Sequence, residues 1–321
     1  MGLGGGVIFT IYNASTGEVE VINARETVPR RSPPNLTEHL RLSYTGVQWI
    51  GVPGELRGYE AAHQRYGRLP WKSLFEPTIK LVTNGIRVSS LMSKYLSFFE
   101  KLIKKHSICQ LLCENKEVLT EGQAINFTQL GYTLRALADE GADSFYNGSI
   151  SRKMLEDLHN EGSFLTAEDL QNYKVQIVRP LNYSLGAYTL YSPPPPAGGA
   201  LVSFLLNILE GYHFSASSVQ SETEQIQTYH YIAEEAFKFA NGQKRKLAES
   251  LAAGNTKELL DTLLSPIFAQ KIREKIDDSG DHTLSFYNVS SVYPETLGTT
   301  HISVITKDGS SVSVTSSINH V

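Results

Sequence analysis

Polar side chains lie near the end of the sequence, namely the hydroxyls of Thr299 and Ser317, the imidazole of His301 and the amide of Asn319. A threonine hydroxyl is a weak nucleophile until a base removes its proton, and a threonine at a chain terminus can use its own α-amine as that base. Such a threonine must first be exposed by cleavage. Gly298 fits this requirement, because a residue without a side chain allows backbone conformations in which the Thr299 hydroxyl attacks the Gly298 carbonyl. The alternative is that Gly-Thr-Thr begins an ordinary strand, since threonine is common in strands.

Two β-rich segments flank Asp308-Gly309, and this arrangement predicts a β-hairpin that carries the cluster. A three-residue loop over 307–309, with Gly309 in the left-handed region, places apolar residues opposite apolar residues. A two-residue turn would shift the pairing by one residue and mix the two faces. We therefore predict the first register, whose cross-strand pairs are Ile302 with Val314, Val304 with Val312, Ser303 with Ser313 and Thr299 with Ser317.

The composition indicates a globular chain, because 321 residues with 41% apolar content can build one large domain or two ordinary ones. The net charge of −4 predicts no field that would attract nucleic acid or an anionic membrane surface. Apolar segments such as 200–209 are too short and too interrupted to cross a bilayer. No signal peptide is visible after Met1.

Asn-x-Ser/Thr sequons are more frequent than chance predicts. Six occur, whereas fifteen asparagines at chance Ser/Thr frequency would give about two. The excess predicts passage through the secretory pathway, and the missing targeting segment leads us to expect that the chain is incomplete at its start. The candidate glycosylation sites are Asn13, Asn35, Asn126, Asn147, Asn182 and Asn288.

Cys109 and Cys113 are the only cysteines. At a spacing of four they could form a local disulfide or remain buried thiols, and in an oxidising compartment we favour the bond. A metal site is not expected, because no histidine pair at ligand spacing lies nearby. His230 and Glu234 lie one helical turn apart, and we interpret them as part of a helix face.

Helices surround strands that come from both chain ends, and this layering is typical of an α+β fold. Strands at 7–12 and 19–22 deliver Arg25 to a strand end, where a guanidinium could bind a carboxylate; the alternative is a salt bridge with Glu26 or another acid. The glycines at 2–6 do not form a dinucleotide-binding loop, because no strand precedes them and no helix follows. Further strands are expected at 175–178 and 188–191, around a turn near Gly186, and helices at 55–66, 72–84, 90–106, 128–141, 149–161, 222–241 and 266–277.

Two helix starts are predicted from capping residues. Thr128 is a plausible N-cap for the helix that follows it, and Thr166 to Asp169 resembles a capping box. Four consecutive prolines at 193–196 predict a stiff loop that leads into an apolar helix ending near Leu209.

Several segments resemble the γ-glutamyltransferase family, in the family's order and over essentially the whole chain. Segments 48–50 and 192–199 are most similar to its γ-glutamyltransferase 5 branch, whose members hydrolyse leukotriene C4 and glutathione. The other matching segments are 1–6, 21–26, 51–59, 67–71, 145–148, 165–170 and 298–301.

The resemblance implies an N-terminal-nucleophile hydrolase fold, a four-layer αββα sandwich made as one precursor and cut into two subunits. Residues 1–298 would be the large-subunit portion, without its anchor and first helices. Residues 299–321 would be the first hairpin of the small subunit. The resemblance places the protein on the extracellular face of the plasma membrane, and it also implies the disulfide between Cys109 and Cys113.

The resemblance further implies the roles of the clustered residues. Thr299 would be the nucleophile and Arg25 would hold the α-carboxylate of the γ-glutamyl group. Ser317, where the family usually has threonine, would support the nucleophile, and Asn319 would contact the α-amino-acid end of the substrate. The implied reaction transfers the γ-glutamyl group of glutathione or leukotriene C4 to water, an amino acid or a dipeptide, with no metal or organic cofactor.

Two departures from the family pattern affect these expectations. Leu247 to Ser250 stands where the family has Leu-Gly-Asp-Pro, and the family's remaining site residues would follow Val321. We therefore expect neither efficient cleavage nor turnover from the 321-residue chain, and we expect the complete protein to be cut before Thr299. A second hypothesis is a non-catalytic secreted glycoprotein that binds γ-glutamyl compounds or a protein partner.

Overall fold

A computed structural model describes residues 3–34, 36, 46–277, 282–289 and 298–319, without the side chains of His230 and Tyr231. The sequon at Asn35 and the ring of His230 therefore lie outside the described residues. The chain divides into two compact units. The first unit comprises Met1–Arg25 and Val175–Val321, and the second comprises Glu26–Lys174.

The first unit contains a five-stranded antiparallel sheet in the order β10-β11-β1-β2-β7. Side chains on β1 alternate, so that Val7, Phe9 and Ile11 are buried, as a sheet with one covered face requires. The strands β10 and β7 lie at the two edges of this sheet. The strands are β1 Gly6–Asn13, β2 Glu18–Ala24, β3 Ile86–Arg87, β4 Cys113–Glu114, β5 Glu117–Val118, β6 Ala124–Ile125, β7 Gln176–Val178, β8 Leu181–Leu185, β9 Tyr188–Ser192, β10 Thr299–Ile305 and β11 Ser311–Ser317.

Helices make up most of the second unit and also follow the β8–β9 hairpin in the first. In the described part of the chain, no helix is both long enough and apolar enough to cross a bilayer. The helices are α1 Glu55–Tyr66, α2 Trp71–Asn84, α3 Ser90–Phe98, α4 Glu100–Ile103, α5 Cys109–Leu112, α6 Thr128–Glu140, α7 Asp143–Asn147, α8 Ser149–Asn160, α9 Ala167–Asn172, α10 Gly199–Glu210, α11 Glu222–Ile226, α12 Glu234–Ala252, α13 Thr256–Leu263 and α14 Pro266–Arg273, with a π-helical segment at Gln227–Ala233.

Most predicted elements are confirmed, including the capping box at Thr166, whose hydroxyl accepts from the Asp169 amide. The N-cap predicted at Thr128 is wrong. Helix α6 begins with Thr128 itself, because the backbone N–H of Phe127 donates to the Val82 carbonyl and fixes Phe127 as the residue before the helix.

Four other predictions are wrong in detail. The strand at 176–178 pairs with β2, and the turn at Gly186 instead joins β9 to the unpredicted strand β8. The helix predicted over 90–106 is interrupted at Phe99. The helix predicted over 222–241 passes through a π-helical segment and continues to Ala252, and the last helix ends at Arg273 rather than at 277.

Tyr287 anchors the segment 282–289 to helix α12. Its side chain is 2% exposed, and its hydroxyl lies 2.7 Å from both carboxylate oxygens of Glu235, which is 4% exposed. The Lys238 ammonium lies 3.0 Å from the same carboxylate. The Tyr287 carbonyl also approaches Gly242 so closely that a side-chain carbon there would lie 1.7 Å from it. The segment is thus held by the buried contact between the Tyr287 hydroxyl and the Glu235 carboxylate. It can pack this close to helix α12 because Gly242 has no side chain.

Replacing Tyr287 with phenylalanine should destabilise the protein by about 1–3 kcal/mol, because a buried carboxylate loses a donor. Urea unfolding would measure the change. Burial, and next the hydrogen bond to Glu235, raise the pKa of Tyr287 to about 12. Stability from this group is present below the unfolded pKa near 10 and is lost as the pH rises towards 12.

Tyr188→Phe is the matched control, because Tyr188 is 78% exposed. A Tyr287→Phe protein as stable as the Tyr188→Phe protein at neutral pH would contradict the prediction.

Candidate active site

The predicted hairpin and its register are confirmed. Thr299 pairs with Ser317 and Ile302 pairs with Val314 in the sheet. The Thr306 amide donates to the Ser310 carbonyl at 2.8 Å, which closes a loop over 307–309, and Gly309 has a φ of 86° as the left-handed position requires. Because Thr299 begins β10 and Ser317 ends β11, both side chains lie at one end of the sheet.

Ser317 links the candidate nucleophile to the bond that would be cut. The Thr299 hydroxyl donates to Ser317 Oγ at 3.2 Å, and the Ser317 hydroxyl donates to the Gly298 carbonyl at 3.3 Å. The backbone amide of Asn319 also donates to Ser317 Oγ, at 3.0 Å. A serine hydroxyl has one proton to donate and two lone pairs, so these three hydrogen bonds use its whole capacity. Ser317 is 5% exposed, which keeps water from competing for these positions.

Gly298 has a backbone conformation that favours glycine. Its φ is 125°, in a region that residues with a side chain rarely adopt. Strain of about 1–3 kcal/mol would accompany any other residue at this position. Glycine before Thr299 is therefore a requirement of the geometry, as the sequence suggested.

Gly5 belongs to the site and was not identified from the sequence. A side-chain carbon at Gly5 would lie 2.3 Å from the Ser317 carbonyl oxygen, so only glycine lets the chain before β1 pass this close to β11. The sequence feature that pointed to this position was the run of glycines at 2–6. The sequence excluded a dinucleotide-binding loop there but did not show which part of the chain these glycines approach.

Arg25 and Asn319 come together at the same end of the sheet. The Arg25 guanidinium donates to the Asn319 side-chain oxygen, and Asn319 has a left-handed backbone with a φ of 68°. The position of Arg25 is set from β2, because its amide donates to Asn23 Oδ1 at 3.2 Å. Asn23 in turn donates to Gln176 Oε1 at 3.2 Å. Sequence reasoning missed Asn23 and Gln176, since only their opposition across β2 and β7 reveals them.

His301 is held by hydroxyls farther along the hairpin. Its Nδ1 lies 2.8 Å from Thr315 Oγ1, and its Nε2 lies 3.0 Å from Ser303 Oγ and 3.2 Å from Ser313 Oγ. All three partners of the imidazole are thus hydroxyls of the hairpin other than that of Thr299. Among the described contacts, His301 forms no hydrogen bond with the candidate nucleophile.

The remaining predicted residues lie away from this cluster. Cys109 and Cys113 form a disulfide, as favoured from the sequence. Glu234 is exposed and forms an ion pair with Lys238. In the described ranges, no three His, Cys, Asp or Glu side chains form a group suited to a metal ion. The sequons at Asn126, Asn147, Asn182 and Asn288 are exposed, and Asn13, the last residue of β1, is half-buried.

Comparisons with known proteins place this geometry in a family. The model of the gamma-glutamyltranspeptidase family matches residues 1–321. The rat glutathione hydrolase 5 proenzyme is 47% identical over 324 residues, which cover 99% of this chain and 56% of the relative. The human glutathione hydrolase 5 proenzyme is 45% identical over 324 residues, which cover 99% and 55%. The chain thus spans about half the length of the curated relatives it matches.

A solved structure is similar to this one. The Helicobacter pylori gamma-glutamyltranspeptidase superposes with a TM-score of 0.77 at 26% identity, covering 88% of this chain and 81% of the other. The fold class is that of the N-terminal-nucleophile hydrolases, with mixed helices and sheets as expected from the sequence. Within that class, the chain belongs to the gamma-glutamyltranspeptidase family.

Proposed function

We propose that the protein hydrolyses and transfers γ-glutamyl groups of glutathione and its conjugates, such as leukotriene C4, with Thr299 as the nucleophile. The observation that carries this proposal is the chain of hydrogen bonds from the Thr299 hydroxyl through Ser317 to the Gly298 carbonyl. Relatives named glutathione hydrolase 5 proenzyme support both the substrate class and an activating cleavage.

Cleavage before Thr299 is the first step of the proposal. The Thr299 hydroxyl oxygen attacks the Gly298 carbonyl carbon while the Ser317 hydroxyl donates to the carbonyl oxygen, where negative charge develops. The C–N bond breaks, the nitrogen takes the hydroxyl proton, and an ester joins Gly298 to Thr299. Water hydrolyses this ester, which leaves a Gly298 carboxylate and a free α-amine on Thr299. Before this step the Thr299 nitrogen is a peptide amide, and an amide is not basic enough to activate the hydroxyl.

Turnover repeats the same attack on a substrate. With the α-amine as base, the Thr299 hydroxyl attacks the γ-amide carbonyl of glutathione and releases cysteinylglycine, leaving a γ-glutamyl ester. Water then releases glutamate, or the amine of an amino acid or dipeptide takes the acyl group. With leukotriene C4, the released product is leukotriene D4. Each of these steps uses the Thr299 hydroxyl, its α-amine and water or an acceptor amine, so the proposal includes no metal or organic cofactor.

Arg25 and Asn319 would bind the α-amino-acid end of the substrate. A guanidinium matches the two oxygens of a carboxylate, and Arg25 lies at the same sheet end as Thr299. One acceptor of its guanidinium is the neutral Asn319 side chain, which a charged carboxylate would replace or join. Asn319 would then be available to the substrate's ammonium group.

The subunits and the location complete the proposal. Cleavage would give a large subunit that ends at Gly298 and a small subunit that begins at Thr299, associated as a heterodimer. Exposed sequons and the Cys109–Cys113 disulfide support a position on the extracellular face of the plasma membrane.

Incubation with glutathione tests the proposed function. We expect the protein expressed from its whole reading frame to release glutamate and cysteinylglycine in equal amounts. With added glycylglycine, a γ-glutamyl tripeptide should form instead of glutamate. Mass spectrometry should show a fragment that begins at Thr299. Glutathione that binds to an uncut chain without release would support the binding glycoprotein instead.

Replacing Ser317 with alanine should slow the cleavage about 10²-fold, because the scissile carbonyl loses its donor. A time course of the uncut chain on denaturing gels measures this rate. Ser317→Thr, which restores the residue usual in the family, should keep the hydroxyl and the rate within a few-fold. Ser313→Ala is the matched control, since it removes a hydroxyl from the same face of β11. Equal rates for Ser317→Ala and Ser313→Ala would show that the hydroxyl at 317 has no part in cleavage.

A further inference from the structure

The face of the sheet that bears Thr299 carries a second row of side chains two residues farther in. Residues that lie opposite each other on neighbouring strands point to the same face, and so do residues two positions apart on one strand. This row lies next to the row that contains Thr299 and Ser317, and it has one member on each of the five strands. We call it the second row, and its members, in order from β10 to β7, are His301, Thr315, Ile8, Asn23 and Gln176.

His301 joins β10 to β11 at one end of the second row. Its Nδ1 lies 2.8 Å from Thr315 Oγ1 on the opposite strand. Its Nε2 lies 3.0 Å from Ser303 Oγ on β10 and 3.2 Å from Ser313 Oγ on β11. A hydroxyl can donate or accept, so these contacts suit either tautomer of the imidazole. Because Nε2 has two partners, it keeps one when either serine is replaced.

The hydrogen bond between Thr299 and Ser317 depends on how these two strands are held together. At 3.2 Å it is longer than the usual separation of about 2.7–2.8 Å between hydroxyl oxygens. Thr299 is the first residue of β10, and in the described part of the chain β11 is the only strand that pairs with β10. The shorter contact of His301 with β11, two residues away, therefore limits how far the Thr299 hydroxyl can move from Ser317.

Asn23 has the corresponding place on β2, beside Arg25. Its side chain is 9% exposed. Its Oδ1 accepts from the backbone amide of Arg25 at 3.2 Å, and its Nδ2 donates to Gln176 Oε1 on β7, also at 3.2 Å. These two hydrogen bonds fix the direction in which the chain leaves β2. They thereby fix the point from which the Arg25 guanidinium reaches the Asn319 side chain.

We propose that the second row positions the two parts of the candidate site separately: His301 positions the Thr299 hydroxyl, and Asn23 positions the Arg25 guanidinium. This inference rests on the proposed function, in which Thr299 reacts and Arg25 binds the substrate carboxylate. Both are positioning residues, because His301 contacts other hydroxyls of the hairpin and Asn23 contacts the backbone of Arg25. The two ends of the row should therefore affect different kinetic constants.

Steady-state kinetics with glutathione and a time course of the uncut chain test this separation, on the protein expressed from its whole reading frame. His301→Ala should lower both the cleavage rate before Thr299 and the kcat per cut chain by about 10- to 100-fold, because the nucleophile is displaced. Its KM should stay within about twofold of the original value, since the groups that bind the substrate are unchanged.

Asn23→Ala should have the opposite pattern. The KM for glutathione should rise about three- to tenfold, because the guanidinium is held less well. The kcat should change less than the KM. The cleavage rate should stay near the original value, since the attack of Thr299 on the Gly298 carbonyl does not use Arg25.

Further variants separate positioning from proton transfer and from general stability. His301→Asn keeps an amide that can bond with Thr315 but cannot act as a base, and it should restore most of the lost rate. Thr315→Val removes the same hydrogen bond from β11, and adding it to His301→Ala should cause no further loss. It also provides the test if the alanine variant does not fold. Thr10→Val, the matched control, removes a hydroxyl from the same face one row farther in and should behave like the unaltered protein.

Three results would overturn the inference. Equal changes of kcat and KM in the His301→Ala and Asn23→Ala proteins would assign the second row to the general stability of the sheet. A His301→Asn protein as impaired as the His301→Ala protein would require a role that only an imidazole can fill. An unaltered protein that neither cuts itself nor consumes glutathione would overturn the proposed function, and this inference with it.

Discussion

Replacing Thr299 with alanine is expected to abolish cleavage before residue 299 and to reduce glutamate release from glutathione by about 10³-fold or more. The reason is that the same oxygen makes both attacks, first on the Gly298 carbonyl and then on the substrate, and no other group replaces it. N-terminal sequencing of the products and a glutamate assay, both on the protein expressed from its whole reading frame, measure the two effects.

Two neighbouring variants make the Thr299 result specific. Thr300→Ala removes a hydroxyl from the next residue, which lies on the other face of β10, and should keep both activities. Thr299→Ser keeps the hydroxyl and should retain measurable cleavage. If glutathione is consumed at the original rate by the Thr299→Ala protein, Thr299 is not the nucleophile.

Replacing Arg25 with alanine should raise the KM for glutathione by about 10- to 100-fold, because the α-carboxylate loses a charged, two-pronged donor. The kcat should change less, since the lost contact is made in the ground state as well as in the transition state. The KM of the Arg25→Lys protein should lie between those of the unaltered and the Arg25→Ala proteins, because an ammonium keeps the charge but lacks the planar geometry of the guanidinium. Steady-state kinetics with glutathione distinguishes these outcomes.

Arg30→Ala is a suitable control for Arg25. Arg30 forms an exposed ion pair with Glu168 and should leave the KM unchanged. A fall in kcat at constant KM in the Arg25→Ala protein would instead assign Arg25 to positioning the hairpin through Asn319. The hydrogen bond between these two side chains makes that a real alternative outcome.

The hairpin could be predicted from the sequence because two local signals agree. The apolar residues of both strands match in only one register, and Gly309 supplies the left-handed position that this register needs. Since the register places Thr299 opposite Ser317, the central contact of the site followed from the sequence alone. The disulfide was favoured on other grounds, namely the spacing of four residues between the cysteines and the oxidising compartment that the sequons indicate.

Contacts between distant parts of the chain could not be predicted in this way. Arg25 and Asn319 are 294 positions apart, and they meet because β1 lies between β2 and β11 in the sheet. The role of Gly5 depends on the nearby backbone of Ser317, and that of Tyr287 on its approach to Gly242. No local sequence pattern predicts such contacts. The missed strand β8 contains Asn182 and Ser184, polar residues more common in turns, and tertiary pairing with β9 overrides that preference.

Ser317 has a single proton to donate, and in the uncut chain that proton serves the peptide that precedes Thr299. After scission this peptide no longer exists, so the same hydroxyl can turn towards the nucleophile and the acyl group it carries. One side chain would then assist a reaction that happens once in the lifetime of the molecule and another that recurs at every catalytic cycle. Maturation and steady-state activity would in that case share a determinant, and a substitution that tunes one could not leave the other untouched.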